Sequence, residues 1–536
     1  TDTRMLSYDF RATANYNHTF NRIHIVNLFG GMEATNIERT RSWFNGVGMQ
    51  YNQSEVPFYI YQFFKRAQEA GHDYYTLGHS YSRSAAFFAN GTYSYQGKYN
   101  LNGTIRYEGS NMLGRSRSAR WLPTWNISGS WNMHEEKFFD IFRPTLSHFT
   151  LKASYSLTAD RGPASITNST TIFSAYNPYR PFSTDKESGI ALYQTGNDEL
   201  TYEKKHEWNF GVDAGFLNNR INVTLDVYRR NNYDLIGVVN TQGVNRSAMS
   251  YGNVASMKSH GEELSISTTN IKNKDFSWTT NFIYSHAVNE VTELMSRANT
   301  MDYISGSGFA MTGYPVRALF SIPFVGLNEN GYPMFINEKG NVTTTEINFQ
   351  ERDNNSYLKY EGPTDPVYTG SLGNIFTYKG FRLNIFLTYS FGNVVRLDPV
   401  FSYKYNDLSS MTKEFKNRWM MPGDEKITNV PVILSKREYN DNYELHYGYN
   451  AYNYSTERVA KGDFIRMKEI SFGYDFPSKW FKGMALNSLS VKLQGTDLFL
   501  IYADKKLNGQ DPEFFRAGGV SAPMPKQFTL TVKAGF

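Results

Sequence analysis

The dominant pattern along the chain is alternation of apolar and polar positions. Phe528, Leu530, Val532, Ala534 and Phe536 share one face of an extended segment, and Gln527, Thr529, Thr531, Lys533 and Gly535 share the other, because side chains along a strand alternate with period two. Residues 6–17 repeat the pattern: Leu6, Tyr8, Phe10, Ala12, Ala14 and Tyr16 against Ser7, Asp9, Arg11, Thr13, Asn15 and Asn17. The clearest hairpin sets Trp208, Phe210, Val212, Ala214 and Phe216 before Asn218-Asn219, and Ile221, Val223, Leu225 and Val227 after it. Asparagine tolerates the positive φ of such a turn. Further pairs are expected at 85–95 with 99–108, 261–271 with 276–290, 367–378 with 381–392 and 464–476 with 488–502, and single strands at 123–133 and 148–159. A short helix is expected near Tyr59–Ala70, and a short helical link carries Phe138, Phe139, Ile141 and Phe142. The count reaches about fifteen strands.

The connections alternate as well. Short turns at Asn17–Arg22, Gln96–Lys98, Asn218–Asn219, Asn273–Asp275 and Lys379–Gly380 interleave with long loops at about 34–83, 160–200, 295–365, 393–462 and 503–523. Short turns at one end and long loops at the other characterise an outer-membrane β-barrel, and a last strand ending on an aromatic residue fits that reading. The predicted fold is therefore all-β, a transmembrane antiparallel barrel. Composition agrees. Mean hydropathy is low and no apolar run reaches the ~18 residues of a membrane-spanning helix, whereas a barrel strand needs only ~9–11 residues, half of them polar. The 39 Tyr, 39 Phe and 8 Trp suit interfacial girdles. The absence of cysteine removes disulfide scaffolds, thiol catalysis and cysteine-zinc sites. A net charge of +5 makes no case for nucleic acid. No signal peptide opens the chain.

Several segments, taken in order, resemble the SusC/RagA group of TonB-dependent outer-membrane transporters of Bacteroidota. They are Tyr93-Ser94-Tyr95-Gln96-Gly97-Lys98-Tyr99, Arg106-Tyr107-Glu108-Gly109-Ser110, Leu151-Lys152-Ala153-Ser154-Tyr155-Ser156 and Asn197-Asp198-Glu199-Leu200-Thr201-Tyr202-Glu203. Ser256 to Leu264, Arg418-Trp419-Met420-Met421-Pro422-Gly423-Asp424, Phe464 to Tyr474, Asp511-Pro512-Glu513 and Pro523-Met524-Pro525 continue the series. The resemblance implies a barrel of about twenty-two strands, of which this chain is the C-terminal portion. The signal peptide, small β-sandwich extension, TonB-contacting segment, plug and first part of the barrel are not in it. It further implies active import of oligosaccharides or oligopeptides with a SusD-like surface lipoprotein, energised by TonB-ExbB-ExbD. An extracellular β-rich glycan-binding or adhesion protein without transport is the alternative.

No catalytic motif of the H-E-x-x-H, G-x-S-x-G or phosphate-loop kind is present, so no enzyme, cofactor or metal is expected. His72 and His79 read as solvated loop residues, and the two members of Glu135-Glu136, like those of Glu262-Glu263, point to opposite faces if the segment is extended, unsuited to acid–base pairing. Asp9, Arg11, Asn222, Asp226, Arg382 and Asn384 are expected to face the lumen, where they either line a substrate path or hydrogen-bond a plug and lumen water. The loop aromatics Trp43, Tyr51, Tyr59 and Tyr61 are candidates for stacking on sugars or packing a partner; self-packing of the loop is the alternative. Asp511-Pro512-Glu513 is expected to stabilise its own connection, with carboxylates accepting backbone N–H bonds.

Overall fold

A computed structural model describes the chain apart from residues 46–48, 51, 53, 58–59, 73, 163–170, 177–187, 195, 241–248, 297, 400–412, 484–485 and 514–524. Fifteen strands form one meandering sheet in which each strand neighbours the next. They are β1 (Asp2–Phe20), β2 (His24–Phe44), β3 (Tyr75–Tyr95), β4 (Tyr99–Ser110) and β5 (Trp121–Asn132). Then follow β6 (Leu146–Asp160), β7 (Glu203–Phe216), β8 (Ile221–Asn240), β9 (Met249–Lys272) and β10 (Phe276–Leu294). The series closes with β11 (Tyr368–Tyr378), β12 (Phe381–Phe391), β13 (Phe464–Asp475), β14 (Ser488–Ala503) and β15 (Gln527–Gly535). Pairing is antiparallel, for example from Asp2↔Ser42 to Phe20↔His24 between β1 and β2.

The short turns hold left-handed residues. Asn21 and Arg22 have φ of 50° and 60°, and Leu217, Asn218 and Asn219 have 53°, 57° and 59°. Positive φ at both central positions matches the right-handed twist of the flanking strands. Gly97 (φ 71°) and Gly380 (φ 91°) adopt it without a Cβ penalty. The first turn is shorter than the expected Asn17–Arg22, since pairing continues to Phe20.

The chain divides into two compact units. The first is Thr1–Trp131, Lys152–Trp208 and Arg230–Ser256; the second is Asn132–Leu151, Asn209–Arg229 and Met257–Phe536. In the first unit one sheet face carries two aromatic bands. Tyr99 stacks on Trp131 (6.1 Å) and Tyr107 on Trp121 (5.1 Å). Eight residues of β4 separate Tyr99 from Tyr107, about 27 Å along the strand, or about 20 Å of height at the tilt of a barrel strand. Between the bands Leu101, Ile105 and Ile127 are each more than half exposed. A second, larger ring cluster surrounds His206, whose Nδ1 lies 3.1 Å from the Tyr155 hydroxyl and whose Nε2 lies 3.3 Å from that of Tyr233. Trp208 stacks on Tyr155 at 4.1 Å. Every residue of β1 is exposed; among the described residues β1 and β15 are the two ends of the strand order.

The expected long loops prove shorter and more structured. β2 runs to Phe44 and β3 begins at Tyr75, with Arg39 opposite Ser80 and Trp43 opposite Thr76. The connection is therefore 45–74. The run Glu38-Arg39-Thr40-Arg41-Ser42 is polar on both faces and hid this extension from the alternation. His79 accordingly sits on a strand, with its Nδ1 3.4 Å from the Thr40 hydroxyl, rather than in a loop. Within the expected 160–200 loop, Ile172–Tyr176 pairs with Gly189–Gln194. The helix expected near Tyr59–Ala70 is present at Tyr61–Glu69. The Phe138–Phe142 link consists of two short 3₁₀ turns around a buried Phe139.

In the second unit the stretches 295–365 and 393–462 build one packed loop module. Ile304, Phe320, Ile322, Phe335, Ala451 and Tyr452 form its apolar core. A hairpin of Phe324–Leu327 with Pro333–Ile336 lies on one side, and Val394–Arg396 pairs with Val459–Lys461. A parallel bridge joins Ile322 to Ser455. Helix Leu445–Asn453 presents Leu445, Gly448, Tyr449, Ala451 and Tyr452 inward. Gly448 is required there: a Cβ would meet the Thr344 carbonyl oxygen at 2.0 Å.

Candidate functional site

The polar face of the first unit is zoned. Register sets Arg11 opposite Glu33. Glu33 pairs with Arg106, whose Nε donates to Glu108 Oε2 at 2.7 Å, and Arg161 Nε lies 3.8 Å from the other Glu108 oxygen. Arg11 itself lies over the Phe88 ring at 5.3 Å. Asp9 accepts from the Ser7 hydroxyl at 3.3 Å. Farther along the same strands the face becomes an uncharged lattice: Asn90 donates to Thr104 (2.7 Å), Asn102 to Thr92 (2.7 Å) and Asn100 to Ser130 (3.1 Å). Amides and hydroxyls carry both donors and acceptors, so neighbouring strands satisfy one another without charge.

The four remaining polar-face candidates lie in the second unit and do not form one site. Asn222 donates to the Asn219 carbonyl at 2.9 Å and thereby braces its own turn. Asn384 donates to Glu469 at 3.1 Å, and Lys492 lies 3.8 Å from the same carboxylate oxygen. Asp226 is half-buried and Arg382 exposed. Of the loop aromatics, Trp43 is exposed at the end of β2, and Tyr61 is the exposed first residue of its helix. Tyr51 and Tyr59 lie outside the described residues. Other rings of this loop pack on one another: Phe64 meets Tyr74 at 5.4 Å and Phe44 meets Tyr74 at 5.1 Å.

Sequence reasoning missed two arginine centres. Arg396 is fully enclosed in the loop module. Its Nη1 donates to Ser321 Oγ (3.1 Å) and the Ser455 carbonyl (2.9 Å), and its Nη2 to the carbonyls of Ile304 (3.2 Å) and Phe320 (2.6 Å). Burial pulls its pKa down to about 9, so it stays charged at neutral pH. One guanidinium thus ties backbone from both halves of the module. Arg458, equally buried, pairs with Glu414 and donates to the Asp398 carbonyl at 2.6 Å. Burial also pushes the Tyr449 and Tyr452 hydroxyls well above the usual phenol range, and Tyr449 donates to the Val432 carbonyl at 2.7 Å.

The second centre is Arg466 on β13. It donates to both Asp511 oxygens at 2.6 Å, and Glu513 lies 2.7 Å away. Arg466 and Asp511 are both buried at the side chain. The expected local role of Asp511 is present, since it accepts the Glu513 N–H at 3.2 Å. The larger role is a clamp between two motifs 45 residues apart. A lone arginine on a strand facing a carboxylate-Pro-carboxylate sequence was the available signal. Among the described residues no group of three His, Asp or Glu side chains gathers as a metal site.

Residues 1–398 match the family model described as TonB dependent receptor-like, beta-barrel. The chain belongs to this family. It is an outer-membrane β-barrel sequence. TonB-dependent receptor P39 of Formosa agariphila is 25% identical over 559 aligned positions, covering 96% of this chain and 51% of that protein. TonB-dependent receptor SusC of Bacteroides thetaiotaomicron is 26% identical over 438 positions, covering 77% and 40%. The SusC/RagA resemblance read from the motifs therefore holds. The fold matches a solved structure of the RagAB peptide transporter with a TM-score of 0.79 at 20% identity, covering 100% of this chain and 56% of that one. The chain spans about half the length of the curated relatives it matches most fully.

Proposed function

We propose that the protein containing this barrel sequence imports oligosaccharides or oligopeptides across the outer membrane, together with a SusD-like surface lipoprotein and driven by TonB-ExbB-ExbD. The family match over residues 1–398 carries this reading. The fifteen strands are then part of a barrel of about twenty-two, and β1, exposed on both faces, pairs with a strand outside this sequence. Asp9, Arg11, Asn222, Asp226, Arg382 and Asn384 face a lumen filled by plug and water. The loop around Trp43, Tyr51, Tyr59 and Tyr61 contacts the lipoprotein or cargo.

The test is uptake of fluorescent oligosaccharides and peptides by cells carrying the whole protein. Uptake is expected to vanish when TonB or the lipoprotein is removed. Persistence without TonB contradicts energised import. Deleting residues 45–60 is expected to abolish uptake while the barrel stays folded, and normal uptake after that deletion removes the loop from the mechanism.

A further inference from the structure

The loop module carries an array of rings that lies outside its apolar core, with Tyr443 and Tyr447 exposed. Tyr439 meets Tyr443 edge-on at 5.9 Å, Tyr443 meets His446 at 4.3 Å, and His446 meets Tyr447 at 3.9 Å. Tyr443 is 59% exposed and Tyr447 41%. The array spans helices Lys436–Asp441 and Leu445–Asn453. The second helix turns Tyr449 and Tyr452 inward and Tyr447 outward, with His446 half-buried between Tyr443 and Tyr447.

The mounting is stiff. Ser435 and Glu438 close a reciprocal cap on the first helix, and Glu438 also accepts from the Tyr332 hydroxyl at 3.2 Å. Tyr449 and Gly448 lock the second helix against the core. Rings held in place lose little further freedom when a ligand binds. A contiguous patch of exposed large rings is uncommon on a surface without a binding role.

We infer that Tyr443 and Tyr447, braced by the His446 ring between them, form a stacking platform for a neutral sugar ring, a recognition site for oligosaccharide on the loop module. The inference rests on the import reading above and narrows its cargo to glycan. The face of a pyranose is a patch of C–H groups that suits an aromatic face. Its edge is a run of hydroxyls that needs alternating donors and acceptors. The exposed rim supplies both: Asn440, Asn442 and Asn450 offer amides, and Asp441 and Glu444 offer carboxylates. Arg437 Nε lies 3.5 Å from Asp441, and Glu438, Asp441 and Glu444 outnumber Lys436 and Arg437, so the patch does not favour an anionic ligand.

The test is equilibrium binding of maltoheptaose, xylohexaose, laminarihexaose and a mixed decapeptide pool to the whole protein in detergent, with uptake measured separately in cells. Wild type is expected to bind at least one oligosaccharide, and Tyr443→Ala with Tyr447→Ala to weaken that binding tenfold or more at unchanged melting temperature. Tyr443→Phe is expected to restore most of it, because the ring face does the stacking. Binding within twofold of wild type in the double variant overturns the platform. So does dependence of peptide, rather than sugar, binding on these tyrosines, or burial of Tyr443 under the lipoprotein in the complex. Retained platform binding with no uptake in any strain refutes import and leaves the platform standing.

Discussion

Arg466 shows how much one side chain can hold. Removing it leaves the buried Asp511 carboxylate without the Nη2 donor that meets both its oxygens, a loss of about 3–5 kcal/mol. Arg466→Ala is expected to lower the temperature at which the folded band disappears on a denaturing gel, and Arg466→Lys to recover only part, since the shorter ammonium does not reach the place of Nη2, which meets both Asp511 oxygens and Glu513. The pair Arg466→Met with Asp511→Leu is expected to cost less than Arg466→Ala alone, because no charge is stranded. Glu438 gives the module a pH signature. Backbone and side-chain bonds from Ser435 hold its carboxyl below the usual range, aided by the Tyr332 hydroxyl. The folded pKa is depressed, so its contribution is complete above the unfolded glutamate range and disappears as pH falls through the folded value. Acid is expected to loosen helix 436–441, followed by proteolysis of the module, and Glu438→Gln to flatten that dependence.

Among elements, β12 offers the cleanest contrast. Leu383, Ile385 and Leu387 share one face and Arg382, Asn384 and Thr388 the other. Ile385 is half-buried because Asn374 and Ile470 flank it across both neighbouring strands, whereas Phe528, Leu530 and Val532 on terminal β15 are exposed. Arginine at Ile385 or Leu387 is expected to cost about 2–4 kcal/mol of folded barrel in membrane, and much less at Thr388. Equal losses at the two faces refute the expectation that Leu383, Ile385 and Leu387 face lipid. Alternation made these strands legible because a membrane on one side and water or plug on the other impose it residue by residue. The upper parts of β2 and β3 were not legible, since both their faces are polar. The loop module was not legible either. Ile304, Phe320, Phe335 and Tyr452 come together from stretches more than a hundred residues apart, and no local period announces a contact set by distant chain.

For the whole molecule, the open ends of the strand order carry the expectation. An unpaired strand edge in lipid leaves N–H and C=O groups unsatisfied at several kcal/mol each. Undenatured protein is expected to purify with a plug and about seven further strands, on this polypeptide or a second one, visible by intact mass. A lone species at the mass of this chain that forms a closed barrel refutes that. The loop module adds a statement about time. Its core joins residues 298–358 to Ala451 and Tyr452, and the β11–β12 hairpin lies between them in the chain. Closing the 132-residue span from Phe324 to Thr456 costs about 4 kcal/mol of chain entropy. That cost is recovered only once Arg396, Tyr452 and Ser455 are all present. The module is thus a late event in maturation, completed after the hairpin between its two stretches has been synthesised. A chain stalled before that point would carry the module unassembled, and a protease could tell unfinished barrels from finished ones by it.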